Sequence, residues 1–111
     1  MTYVGSLTRA KLRMAGAKDI RDIEGPLEIT SLVGTFGTDG SHFHVSVSDE
    51  NGTVIGGHLM EESIVHTTAE VVIGKIPGER FNRKQCEKSG WKELSIEAVS
   101  PVEKLSEWRS S

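Results

Sequence analysis

The chemistry this sequence can carry rests on three histidines. His42 and His44 stand two apart in Ser41-His42-Phe43-His44-Val45-Ser46-Val47-Ser48, and His58 follows in Val54-Ile55-Gly56-Gly57-His58-Leu59. Phe43, Val45 and Val47 alternate with the histidines and serines, the period-two pattern of a strand with one buried face. Between the stretches lies Asp49-Glu50-Asn51-Gly52, where Asp first and Gly fourth favour a three-residue hairpin loop with Gly in the left-handed conformation. In that register Asp49 faces Thr53 and His44 lies directly opposite His58, while His42 sits two residues along the same face, opposite Met60. Opposed residues have Cβ atoms about 4.5–5.5 Å apart and diagonal ones roughly 7–8 Å, so three imidazoles can meet one small object. A two-residue Asn51-Gly52 turn would instead shift the pairing by one and send His58 to the opposite face.

Three neutral imidazoles plus water make a first shell for zinc or another divalent metal, and acidic surroundings attract a cation. The alternative is a polar histidine patch, hydrogen-bonded at a subunit interface. Glu28 and Glu70 are candidates for a general base or an added carboxylate ligand, against a plain role as paired strand residues. Arg9, Lys11 and Arg13 recur on one side of a strand and form a candidate anion contact, against a solvated edge-blocking face. A second basic group, Arg80, Arg83, Lys84 and Lys88, has only Phe81 beside it, too few aromatics for a nucleic-acid platform. Cys86 lies near Lys84 and Lys88 but has no histidine near it in sequence and is given no role. No phosphate-binding glycine loop, nucleophile elbow or dinucleotide fingerprint is present.

The elements that must position these residues are mostly strands. Ala10, Leu12 and Met14 alternate with Arg9, Lys11 and Arg13 until Ala15-Gly16-Ala17 ends the pattern. A second extended stretch is expected after a Gly25-Pro26 turn, from Leu27 through Val33 to the glycines at Gly37 and Gly40. The hairpin comes next, then an apolar stretch from Ile64 to Ile73 that stops before Pro77-Gly78. Leu94 to Val99 supplies a last alternating strand. The one helix candidate is terminal: Ser100 as N-cap, Pro101 in the first position, Glu103 completing a capping box, and Val102, Leu105 and Trp108 recurring every three residues. The class is α+β, predominantly antiparallel β-sheet with little helix, in a single domain over residues 1–111.

Bulk composition narrows the function. The net charge of −3 is too acidic for a generic phosphate-neutralising nucleic-acid binder. Residues 1–21 carry five basic residues and one acidic, residues 22–74 nine acidic with no Lys or Arg, and residues 75–111 eight basic and six acidic. All four histidines fall in the acid-only middle. A single cysteine excludes a disulfide framework and a Cys-rich zinc module. With neither a secretion signal nor a long apolar run, the expected setting is soluble and cytoplasmic, or nuclear in a eukaryote, with no membrane partner.

Gly25-Pro26-Leu27-Glu28-Ile29-Thr30-Ser31-Leu32-Val33-Gly34-Thr35, His42-Phe43-His44-Val45-Ser46, Asp49-Glu50-Asn51-Gly52 and Val54-Ile55-Gly56-Gly57-His58-Leu59 together resemble the plants-and-prokaryotes-conserved (PPC) domain family. Val4-Gly5-Ser6-Leu7-Thr8-Arg9-Ala10-Lys11-Leu12-Arg13 and Thr68-Ala69-Glu70-Val71-Val72-Ile73 match as well, so the resemblance covers nearly the whole chain. It implies an antiparallel sheet core and a homotrimer, and the paired H-x-H and G-G-H-L motifs follow the bacterial branch; the plant branch largely lacks those histidines. Two departures stand out. Family members usually begin with a further strand and helix, so this chain is expected to be N-terminally short. The Arg-Gly-Arg-Pro hook that links plant members to DNA is absent here, so the resemblance carries a DNA-binding label without a DNA-binding element. Two function classes follow: a homotrimeric, non-enzymatic binding module with a metal or small ligand at His42, His44 and His58, or a metal-dependent enzyme in which the ion activates water and Glu28 or Glu70 moves the proton. Direct DNA binding is a third, weaker reading.

Overall fold

A computed structural model describes residues 3–99, so the expected helix from Ser100 lies outside the described residues. Among the described residues there are seven strands and no helix: β1 (Tyr3–Arg13), β2 (Ile20–Gly37), β3 (Gly40–Ser48), β4 (Val54–Leu59), β5 (Ile64–Val71), β6 (Glu79–Gln85) and β7 (Lys92–Ala98). The predominantly antiparallel sheet expected from the alternating patterns is what forms. No helix of the described residues is long and apolar enough to cross a membrane.

The chain falls into two compact units, one built from the described residues up to Gly34 with His42–Ile73, the other from Thr35–Ser41 with the described residues from Gly74 onward. In the first unit the strand order is β2-β3-β4-β1-β5, and β1 also pairs with β2. The second pairing closes β2, β3, β4 and β1 into a ring, with β5 attached outside it along β1. Alternation decides what fills the ring: Leu7, Ala10, Leu12, Leu27, Val45 and Val47 are buried, and Met14, Ile23, Ile29, Leu32, Ile55 and Leu59 pack against them.

The expected turn at Gly25-Pro26 is not a turn. β2 runs through it: Leu7 pairs with Leu27 and Arg9 with Glu24, so two steps along β1 match three along β2. Gly25-Pro26, joined by a cis peptide bond, supplies the extra residue as a bulge, and Pro26 has no N–H to give to a ladder. One long strand can therefore pair with β1 through its first part and still reach β3.

In the second unit β6 and β7 form a two-stranded antiparallel ribbon, with Phe81 opposite Ile96 and Arg83 opposite Leu94. The Asp39 carboxylate accepts the Arg83 backbone N–H at 3.0 Å. Three members of the second basic group, Arg80, Arg83 and Lys84, belong to β6, a strand that their charge does not announce. Lys84 Nζ lies 2.6 Å from Glu97 across the ribbon and holds that carboxyl below the usual carboxylate range. The Cys86 thiol is likewise held below its ordinary value, by hydrogen bonds from Ser89 and Lys88.

Candidate metal centre

The hairpin loop fixes the register locally. The Asp49 amide donates to the Thr53 carbonyl and the Gly52 amide to the Asp49 carbonyl, each at 3.0 Å. The Asp49 carboxylate accepts the backbone N–H groups of Asn51 and Thr53, both at 2.9 Å. Gly52 has φ +80°, a conformation most side chains resist. This is the three-residue loop, and the two-residue alternative is excluded.

From the loop the pairing runs Ser48 with Val54, Val47 with Ile55, Ser46 with Gly56, Val45 with Gly57 and His44 with His58. Val45 and Val47 are buried in the ring, so the histidines occupy the other face. His42 joins them from two residues along β3: its ring centroid lies 5.1 Å from that of His44 and 4.9 Å from that of His58, and the His44 and His58 centroids are 5.6 Å apart. Nε2 of His42 and Nε2 of His44 are 3.1 Å apart, one donating to the other according to tautomer. One ligating nitrogen from each of the three rings lies within 4.8 Å of the others.

Those distances suit a single ion. Two nitrogens bound at 2.0–2.1 Å to one tetrahedral ion stand about 3.4 Å apart, so the His42–His44 pair is already at ligand spacing, and the widest pair closes by at most roughly 1.4 Å. His44 is exposed, whereas His42 and His58 are half-buried. Imidazole donors suit zinc, copper, nickel or iron rather than calcium or magnesium.

The fold does not bring every candidate residue to this point. Glu28 is paired with Ser6, and Glu70 with Val4, toward the start of β1. Ser6 is seven residues from Arg13, roughly 20 Å along a strand, so within the chain neither carboxylate reaches the histidines. His66 lies on β5, its Nδ1 3.3 Å from the Thr8 hydroxyl. Of the basic row, Arg9 Nη2 bonds Asp22 at 2.6 Å, which raises its pKa above the ordinary arginine value, and Lys11 Nζ is 3.8 Å from Glu62.

Arg13 is placed differently. It is the residue of β1 directly opposite His58 of β4. Directly opposed residues of an antiparallel pair share a face, so Arg13 stands beside the histidines. The close approach of these strands depends on Gly57: a Cβ there would lie 2.8 Å from the Arg13 carbonyl oxygen and 3.2 Å from Met14 Cε. The alternation of β1 had assigned Arg13 to a basic face but gave no sign that this face adjoins the histidines, because the β1–β4 pairing is non-local.

The profile of the Plants and Prokaryotes Conserved (PCC) domain matches residues 1–77, which include all three histidines. The chain belongs to this family. It is 38% identical over 100 residues to the bifunctional protein GlmU of Synechococcus sp. (strain JA-2-3B'a(2-13)), a match covering 90% of this chain and 16% of that protein. GlmU of Synechococcus sp. (strain JA-3-3Ab) gives the same identity and coverage. The chain thus spans 16% of the length of the curated relatives it matches. Among solved structures, a hypothetical protein from Salmonella cholerae-suis (Salmonella enterica) superposes with a TM-score of 0.81 at 43% identity, covering 86% of this chain and 70% of that one. A protein from Bacteroides thetaiotaomicron described as a candidate DNA-binding protein shares the fold at a TM-score of 0.62 and 20% identity, covering 85% of this chain and 71% of that one.

Proposed function

We propose that this PCC domain is a self-assembling, non-enzymatic binding module, a homotrimer whose His42, His44 and His58 hold one divalent ion of the zinc type. The observation that carries the metal reading is the convergence of three imidazole nitrogens within 4.8 Å, two of them 3.1 Å apart, on a face kept out of the core. When bound, the ion supplies a Lewis-acid centre and a position for an outside ligand. The residues do the rest: β3 and β4 hold two donors opposite each other, in a register favoured by the hairpin loop and held by the buried Val45 and Val47. An enzyme reading needs a proton-transfer group beside the ion, and Glu28 of β2 and Glu70 of β5 pair with Ser6 and Val4, away from the end of β1 that adjoins His58.

Assembly is supported by β5. All eight of its residues are exposed in the isolated chain, including Ile64 at 50% and Val65 at 48%. An outer strand that leaves Ile64, Val65 and Val71 exposed offers an edge and apolar side chains for another chain to cover. The DNA-binding description of the Bacteroides neighbour has less support in this chain, because Arg9 and Lys11 are engaged by Asp22 and Glu62. Two measurements test the proposal. Elemental analysis of protein purified without chelators, exposed to excess zinc and desalted, should find about one ion per chain, lost in His44→Ala and His58→Ala. Light scattering should give three times 12.1 kDa. A metal-free wild-type protein after zinc exposure overturns the metal reading, and a monomer at micromolar concentration overturns the assembly.

A further inference from the structure

Histidines hold three corners of a four-residue block on one face of the hairpin, and the fourth corner holds a sulfur donor. Met60 follows β4 directly, and its amide donates to the Lys11 carbonyl at 2.9 Å, so the ladder that pairs Arg13 with His58 and Leu12 with Leu59 runs one residue further. Leu59 packs against the ring core, and alternation therefore puts His58 and Met60 together on the opposite face. Across the hairpin His44 faces His58, and continuing that register by two residues sets Met60 opposite His42. His42 and His44 on one strand and Met60 and His58 on the other thus form a block about 4.5–5.5 Å across and about 6.5–7 Å along the strands. Three corners already converge, with ligating nitrogens within 4.8 Å of one another. The fourth carries an unbranched thioether with three rotatable bonds, long enough to reach the middle of such a block, and Met60 is half-buried rather than exposed.

We infer that Met60 is a fourth ligand of the histidine site and that the ion these four residues select together is copper(I). This rests on the metal reading above, to which it adds a donor and the class of ion. Thioether sulfur is a soft donor that favours copper(I), whereas zinc is served by imidazole, thiolate and carboxylate. Imidazole binds both ions, so the histidines alone do not separate them; the thioether does. All four donors are neutral, so none offsets the charge of the ion, and a monovalent ion leaves half as much charge uncompensated as a divalent one. The carboxylates that sequence offered as extra ligands, Glu28 and Glu70, pair with Ser6 and Val4 and within the chain supply no anion to the block. A site of three imidazoles and a thioether is therefore matched to a soft ion of low charge.

The test measures the affinity of the full chain for zinc(II) and, in anaerobic buffer with ascorbate, for copper(I), each in competition with a chromophoric chelator. Wild type is compared with Met60→Leu, which keeps the volume and removes the sulfur, with circular dichroism confirming the sheet. Met60→Leu should bind copper(I) about tenfold or more weakly while binding zinc within roughly threefold of wild type. X-ray absorption at the copper edge should show a sulfur neighbour in wild type that is missing in Met60→Leu. Cys86→Ser removes the one thiol of the chain and should leave both affinities and the sulfur signal unchanged. If Met60→Leu binds copper(I) like wild type, if it weakens zinc as much as copper(I), or if the sulfur signal goes with Cys86, the inference is wrong. If zinc binds and copper(I) does not, the inference is wrong and the zinc reading stands. If wild-type protein binds neither ion, the metal reading itself fails.

Discussion

Replacing Asp49 separates two devices that could hold His44 opposite His58: the loop and the buried face of the hairpin. Asp49→Ala removes a carboxylate that accepts two backbone N–H groups at 2.9 Å. Hydrogen bonds to a charged acceptor contribute about 1.5–3 kcal/mol each when buried, but the Asn51 and Thr53 amides sit in an exposed loop where water replaces the lost partner, so the expected cost is about 1–2 kcal/mol in total. Asp49→Asn keeps an oxygen acceptor without the charge and should cost about half as much. A one-residue slip would bring Val45 and Val47 out of the core, at about 1.5–3 kcal/mol each. The buried valines therefore outweigh the loop, and the register survives the mutation. Urea denaturation at fixed protein concentration should show the midpoint falling in the order wild type, Asp49→Asn, Asp49→Ala, with metal affinity within about threefold throughout. A loss of metal binding in Asp49→Ala, with the protein still folded, would refute the claim that the valines hold the register.

Three further outcomes follow from the packing and the charge pairs. Gly57→Ala drives a methyl toward the Arg13 carbonyl, and we expect a loss of about 1–3 kcal/mol in chemical denaturation together with weaker metal binding, since β4 must move away from β1. Leu12→Ala empties a completely buried position and should cost about 2–5 kcal/mol by the same measurement; a cost below that would mean the ring collapses around the gap. Lys84 holds the Glu97 carboxyl below its unfolded value, so the pair's stabilisation is present above the ordinary glutamate pKa, about 4.3, and is lost as pH falls through the lower folded value. An NMR titration of Glu97 should therefore show a depressed midpoint that returns toward the ordinary value in Lys84→Met and at high salt.

What could be read from the sequence was whatever local chemistry encodes. The Asp49–Gly52 loop carries its own turn signals, and through them it placed His44 opposite His58. The alternation in β1 correctly put Ala10 and Leu12 inward. Features that depend on distant partners were not legible. Gly25-Pro26 has the composition of a turn, but β1 offers a ladder on which the same two residues become a bulge within one strand. Glu79–Gln85 is too charged to announce a strand until β7 lies beside it. The remoteness of Glu28 and Glu70 from the histidines, and the nearness of Arg13, both follow from which residues β1 pairs with along its length, and no short-range pattern records that choice.

Closure of the ring by β1 also sets an order of events in folding. The β3–β4 hairpin joins residues separated by a short loop, and such hairpins form in about 1–10 μs. The contact between Arg13 and His58 encloses most of the first unit, so its larger loop-closure entropy delays it until the intervening strands are in place. The opposed residues His44 and His58 thus come together with the earliest local structure, and β1 is laid against β4 only in a later, non-local step.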